Sequence, residues 1–261
     1  MAIDLAERKT WTLSAACRPT VVFVGAYAAS LTPHEVAHAL TAYYLGFSST
    51  LYHMWVNPDA ADARPTQIAI IAGAGPVFNL VFGLIAWLIY RKCRYRPSSF
   101  IMLMLAINNR YVVFGNMMSA GFGGDINRVL TVLGVGAPLL YTTSFIGIAC
   151  LAGFMFAMGR ELISWAPVGM ERRTAVLVET LAPWLIGTVI AFIAYLPLPS
   201  TLIWPNIIGS AFWGFAVLGA WFSRTPPNRE AHRAITVPDL VVTALALIFV
   251  RLLVPGLRLA R

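Results

Sequence analysis

The sequence predicts an all-α integral membrane protein of about six to seven transmembrane helices, with residues 1–261 forming a single membrane domain. Three observations carry this expectation. Hydrophobic residues make up 59% of the chain and charged residues 11%, with a mean hydropathy of +0.73, whereas a soluble domain carries about 25% charged residues. The apolar residues come in runs long enough to cross a hydrocarbon core as helices. The Lys and Arg residues behind the net charge of +8 fall in short clusters between those runs. Topology signals are distributed in this way, so no nucleic-acid partner is expected.

Taken in order, residues 1–19 are polar and basic with scattered apolar positions and read as an N-terminal interfacial segment. Asp4 and Glu7 dilute the basic start, and no short apolar core with a small-residue cleavage site follows, so a cleavable signal peptide is not expected. Residues 20–46 form the first apolar run; as one helix it would be about 40 Å long, enough to span with tilt. Thr32-Pro33-His34-Glu35 also resembles a helix start. A kink at Pro33 is nevertheless expected over a full break, because freed backbone groups are costly in lipid.

Residues 48–66 hold prolines and acidic residues and read as a polar loop or re-entrant element. The second span, 67–90, carries Gly73-Ala74-Gly75-Pro76-Val77-Phe78-Asn79 and ends in a basic run through Arg96. The third, 99–120, is unusually polar, with Asn108, Asn109, Arg110 and Asn116, and leads to the Gly-rich turn before Asp125. Arg110 is expected to pair structurally with Asp125, Glu179 or a carbonyl. Further apolar segments lie at about 137–159, 175–196, 201–222 and 236–254. Cys17, Cys93 and Cys150 are far apart and make neither a metal-type pair nor a disulfide framework.

Chemistry concentrates in Thr32-Pro-His-Glu-Val-Ala-His38. Two histidines four apart on a helix project from one face, about 6 Å apart along the axis, and both can reach one metal ion. Glu35 stands beside that face, where a carboxylate can take a proton from metal-bound water. Ionisable residues inside an apolar span are functional candidates by default. A catalytic zinc normally keeps three protein ligands, so a third is needed. No glutamate lies between Glu35 and Glu161, and no histidine stands at the sixth position after His38. That leaves His53, Asp59, Asp62 and Asp125. Asp125 is distinguished by the glycine-rich turn before it, whose flexible backbone can bring a carboxylate into a buried site.

These motifs together resemble the site-2 protease family of intramembrane zinc metalloproteases. The matching residues are His34, Glu35 and His38, then Gly75-Pro76 with Asn79, then Asn116 followed by Asp125, in the family's order and on three apolar segments. The chain departs from the pattern at Ile126, where glycine is usual, and in having no proline shortly after Asn116. The resemblance implies a three-helix catalytic core over residues 20–130, with residues 131–261 as accessory helices. It further implies one Zn2+ per chain held by His34, His38 and Asp125, and Glu35 as general base on a zinc-bound water. Asn79 and Asn116 would hold the backbone of a membrane protein or peptide substrate cut in or near its span. The expected location is a bacterial or archaeal cell membrane. A non-proteolytic membrane scaffold or chaperone and a solute transporter are the competing functions, the latter because embedded polar residues also line pathways.

Seven spans would put thirteen Lys and Arg on one face and four on the other, the four being Arg64, Arg128, Arg258 and Arg261. The positive-inside rule then places the N-terminus in the cytoplasm and the Asp125 turn away from it. The family resemblance implies the opposite opening.

Overall fold

The computed structural model describes residues 2–94, 96–224 and 234–260, with side chains described from residue 15 onward except at Trp204. Helix α1 runs without interruption over Ala2–Tyr44, through Pro19 and Pro33. Residues 2–19 of the segment read as interfacial are thus helical and continuous with the rest of α1. A proline leaves the preceding turn short of a donor. For Pro33 the carbonyl left without that donor is Ala29's, and the next one, Ser30's, accepts a 2.9 Å hydrogen bond from Asn79 Nδ2 of a neighbouring helix.

After α1 come strands β1 (Ser49–Leu51) and β2 (Val56–Pro58), then helices α2 (Pro65–Lys92), α3 (Ser99–Met118), α4 (Gly124–Val132) and α5 (Ala137–Leu162). Helix α6 (Arg172–Val176) passes through a π-helical turn at Leu177–Leu181 into α7 (Ala182–Ala194). Helices α8 (Ser200–Ala211), α9 (Trp213–Phe222) and α10 (Val237–Leu252) precede strand β3 (Leu257–Leu259). Among the described residues, four helical stretches are long and apolar enough to cross a membrane: Pro65–Lys92, Ala137–Trp165, Arg172–Ala194 and Ser200–Phe222. The expected six to seven additionally need α1 and α3, whose apolar runs carry the polar site residues, and α10, which has 16 residues.

The core lies where α1, α2, α3, α5 and α9 meet, around Phe23, Tyr90, Met104, Leu151, Met155 and Trp213. Lipid tails are as apolar as these side chains, so close fit rather than water exclusion draws membrane helices together. Gly159 of α5 lies against the backbone of Ala216, and Gly219 of α9 against that of Phe156, so neither position has room for a Cβ. Outer faces carry exposed apolar rows, such as Leu84, Ile85 and Leu88 on α2 and Leu185, Ile186 and Val189 on α7. Those rows suit contact with lipid.

The two ends of the bundle differ. At one end Arg18 makes a buried 2.8 Å ion pair with Asp239 and donates to the Pro97 carbonyl, and Arg94 pairs with Glu161 at 2.6 Å. At the other, β2, β1 and β3 form an antiparallel sheet in that order, with Thr50 opposite both Asn57 and Arg258. The chain is otherwise helical, as expected, and this small sheet is an addition to the expected all-α bundle. Each strand has three residues, too few to show a period of two, and β3 pairs with a strand from the far end of the chain.

Candidate metal centre

His34 and His38 lie on the inner face of α1, 3% and 6% exposed. Their Nε2 atoms are 3.1 Å apart. Asp125 Oδ2 stands 2.9 Å from His34 Nε2 and 3.3 Å from His38 Nε2. Ligand atoms about 2.0–2.1 Å from a tetrahedral metal are about 3.3 Å from one another, so a triangle of this size fits a single ion. The three residues are a group that can hold a metal.

Hydrogen bonding behind the rings supports the same reading. His34 Nδ1 donates to Asn79 Oδ1, and His38 Nδ1 donates to the Ile71 carbonyl at 2.6 Å. With each Nδ1 protonated, each neutral Nε2 carries a lone pair. Two such lone pairs and a carboxylate oxygen converge, an arrangement that repels itself until a cation sits among them. Second nitrogens anchored on oxygen acceptors are the usual support of metal-binding imidazoles.

Local sequence explains how α2 serves these rings. Gly75 lies so close to them that an added Cβ would overlap the Nε2 atoms of both histidines. Pro76 has no N–H to give the Ala72 carbonyl, the one next to Ile71. One turn on, Asn79 is fully buried, and its Nδ2 donates to Ser30 O at 2.9 Å and to Asn109 Oδ1 at 2.6 Å. Asn109 in turn donates to Ser30 Oγ at 2.8 Å, so α1, α2 and α3 share one polar network. The sequence expectation set Asn79 against a substrate. The structure puts it behind His34 with both amide protons engaged.

Asp125 is delivered by the turn before α4. Gly123 and Gly124 have φ of 147° and 84°, which only glycine adopts without strain. Gly121 N–H donates to Ser144 Oγ at 2.6 Å, and Asn127 Nδ2 to the Ala120 carbonyl at 2.6 Å, pinning the turn on both sides. The other candidate ligands lie elsewhere. His53 is buried with Nε2 donating to the Tyr195 carbonyl at 2.7 Å, and Asp59 and Asp62 are exposed beyond β2. Among the described residues Arg110 pairs with none of its expected partners; its guanidinium lies 5.3 Å from the centre of the Trp87 ring.

The triad faces a cavity of about 300 Å³, open on one side. Glu35, 9% exposed, lines it beside His34 and His38 and makes no hydrogen bond to a described residue. Asn116 forms part of the wall from α3, and its Nδ2 donates to Val112 O at 3.2 Å. Sequence reasoning missed Ile71, because a carbonyl has no residue-type signature. Ser30 and Asn109 also went unassigned, although the polar cluster on α3 pointed to some buried network. Arg128, read only as a loop charge, lines the cavity one turn after Asp125. No family model, curated protein or solved structure matches this chain.

Proposed function

We propose that the protein is an intramembrane zinc metalloendopeptidase of the site-2 protease type, hydrolysing peptide bonds in or near the membrane-spanning segments of other proteins. The observation that carries this reading is the His34–His38–Asp125 triangle with Glu35 beside it, facing one cavity inside an apolar helix bundle. Two imidazoles and one carboxylate are a zinc-type donor set, and three protein ligands leave a position for water or substrate. Zinc bound there supplies a Lewis acid that polarises the scissile carbonyl and acidifies the attacking water.

The chain's own residues do the rest. Glu35 takes the proton from the attacking water and hands it to the leaving amide nitrogen. Asn79 and Ile71 fix the two imidazoles in the tautomer that turns Nε2 inward. A helical substrate hides its carbonyls, so it must be extended where it is cut. Asn116 on the cavity wall can bond such a backbone, and β2, one of the two edge strands of the sheet, contributes Val56 and Pro58 to the same cavity. His34 is about 15 Å from the Tyr44 end of α1, at 1.5 Å per residue, on the side of the bundle away from the Arg18 and Arg94 clusters. The charge distribution therefore favours a site opening away from the cytoplasm.

The test is zinc content and cleavage of membrane-spanning peptides by purified wild type, Glu35→Gln and Asp125→Ala. Expected are one zinc and cleavage for wild type, one zinc without cleavage for Glu35→Gln, and weakened zinc for Asp125→Ala. A wild type that retains no zinc overturns the proposal.

A further inference from the structure

A second cavity adjoins the first and plays no part in the reaction just described. Its volume is about 60 Å³, and Phe23 and Tyr27 of α1, Tyr111 of α3, Phe192 of α7, Tyr195 and Trp213 wall it. The rings brace one another, Phe23 against Trp213 at 4.9 Å and Tyr27 against Tyr195 at 5.8 Å between centroids, both edge-on. Met54 and Asn206 belong to the walls of both cavities, so the two adjoin across these side chains.

Size and polarity select the occupant. A water needs about 10–15 Å³ and several polar partners, and here much of the polar lining is already engaged within the protein, Tyr195 Oη with Thr32 Oγ1 at 3.0 Å and Ser210 Oγ with the Ile207 carbonyl at 2.8 Å. An apolar cavity that takes benzene measures about 150 Å³. The volume here is less than half of that, which suits a branched aliphatic side chain and not a phenylalanine ring. The polar groups at the junction are the Tyr27 hydroxyl, which donates to Asn206 Oδ1 at 3.1 Å, and the Asn206 amide, which donates to the Leu202 carbonyl at 2.7 Å. Such groups suit a peptide backbone lying against them better than a lipid acyl chain.

Position follows from α1. Tyr27 lies two turns before His34, about 10 Å along the helix axis. An extended peptide advances about 3.3 Å per residue. We propose that the aromatic-walled cavity is a specificity pocket for a leucine, isoleucine or valine side chain of the substrate, about three residues from the bond that is cut. This inference rests on the peptidase reading and adds the substrate's sequence requirement to it.

The experiment uses spanning peptides carrying Ala, Val, Leu or Phe at each position three residues from the scissile bond, assayed on wild type, Ala191→Leu and Ser210→Leu. Both substitutions fill the cavity from its wall, one from α7 and one from α8, so failure of either variant to fold leaves the other informative. Wild type should prefer Leu over Ala by at least about tenfold in kcat/KM at one of the two positions and disfavour Phe. Filling the cavity should erase that preference. Cleavage without any preference at either position overturns the pocket and leaves the peptidase reading standing. If no peptide is cut, photo-leucine at the same positions is crosslinked to Glu35→Gln: an adduct on cavity residues upholds the pocket although the peptidase reading has failed, and no adduct overturns both. A co-purified lipid that Ala191→Leu displaces, with no residue preference, assigns the cavity to an acyl chain and overturns the inference.

Discussion

Gly75→Ala, one methyl group on α2, is predicted to dismantle the metal centre. The added Cβ would stand 2.5 Å from His34 Nε2 and 2.6 Å from its Cε1, and would overlap His38 Nε2 as well. Ordinary carbon contacts begin near 3.4 Å, so the rings or the helix must give by about 0.9 Å. Ligand bonds in working metal sites hold to within about 0.2 Å of their ideal lengths, and a displacement several times larger removes at least one imidazole from coordination. Loss of a supporting partner alone costs about 10–100-fold in metal affinity, so loss of a ligand should cost more than about 100-fold. The assay is zinc affinity by chelator competition on purified protein, with metal content measured in parallel and a thermal melt to show that the bundle is folded. A folded Gly75→Ala that binds zinc within about threefold of wild type would refute the reasoning, because the two histidines could not then be ligands held against this backbone.

Asn79→Ala removes the acceptor of His34 Nδ1 and should weaken zinc by about 10–100-fold; it also strands the Ser30 carbonyl and Asn109, and a lower melting temperature should accompany the loss. Glu35→Gln should keep zinc at wild-type stoichiometry and lose at least about 100-fold in kcat, and retained cleavage would show that another group takes the proton. Arg18→Met leaves Asp239 buried without its cation and should destabilise the fold by about 3–5 kcal/mol in unfolding measurements. The double variant Arg18→Met, Asp239→Asn should recover part of that, and equal melts for the two would show that the pair carries little. Arg258→Cys in a chain freed of its own three cysteines should react with an impermeant maleimide from outside intact cells. Labelling only after permeabilisation would put the sheet, and the cavity beside it, on the cytoplasmic side.

The sequence by itself determined what is encoded within a few neighbouring residues or in bulk composition. Apolar runs and sparse charge indicated a membrane bundle, and histidines four apart on a helix have no choice but to share a face. Glycines before Asp125 marked a turn able to carry it inward, and the structure brings Asp125 to both histidines. Only the tertiary structure decided what depends on how helices rotate and slide against each other. That Asn79 meets His34, that the Ile71 carbonyl meets His38, and that Gly75 must be bare are consequences of the register between α1 and α2, which no local pattern specifies. The pairing of β1 with β3 belongs to the same class, since three-residue strands gain their definition from a partner and not from their own sequence. The span count stayed open for a related reason: in α1 and α3 the side chains that lower hydropathy are turned inward onto one another, and hydropathy along a chain does not record which way a residue faces.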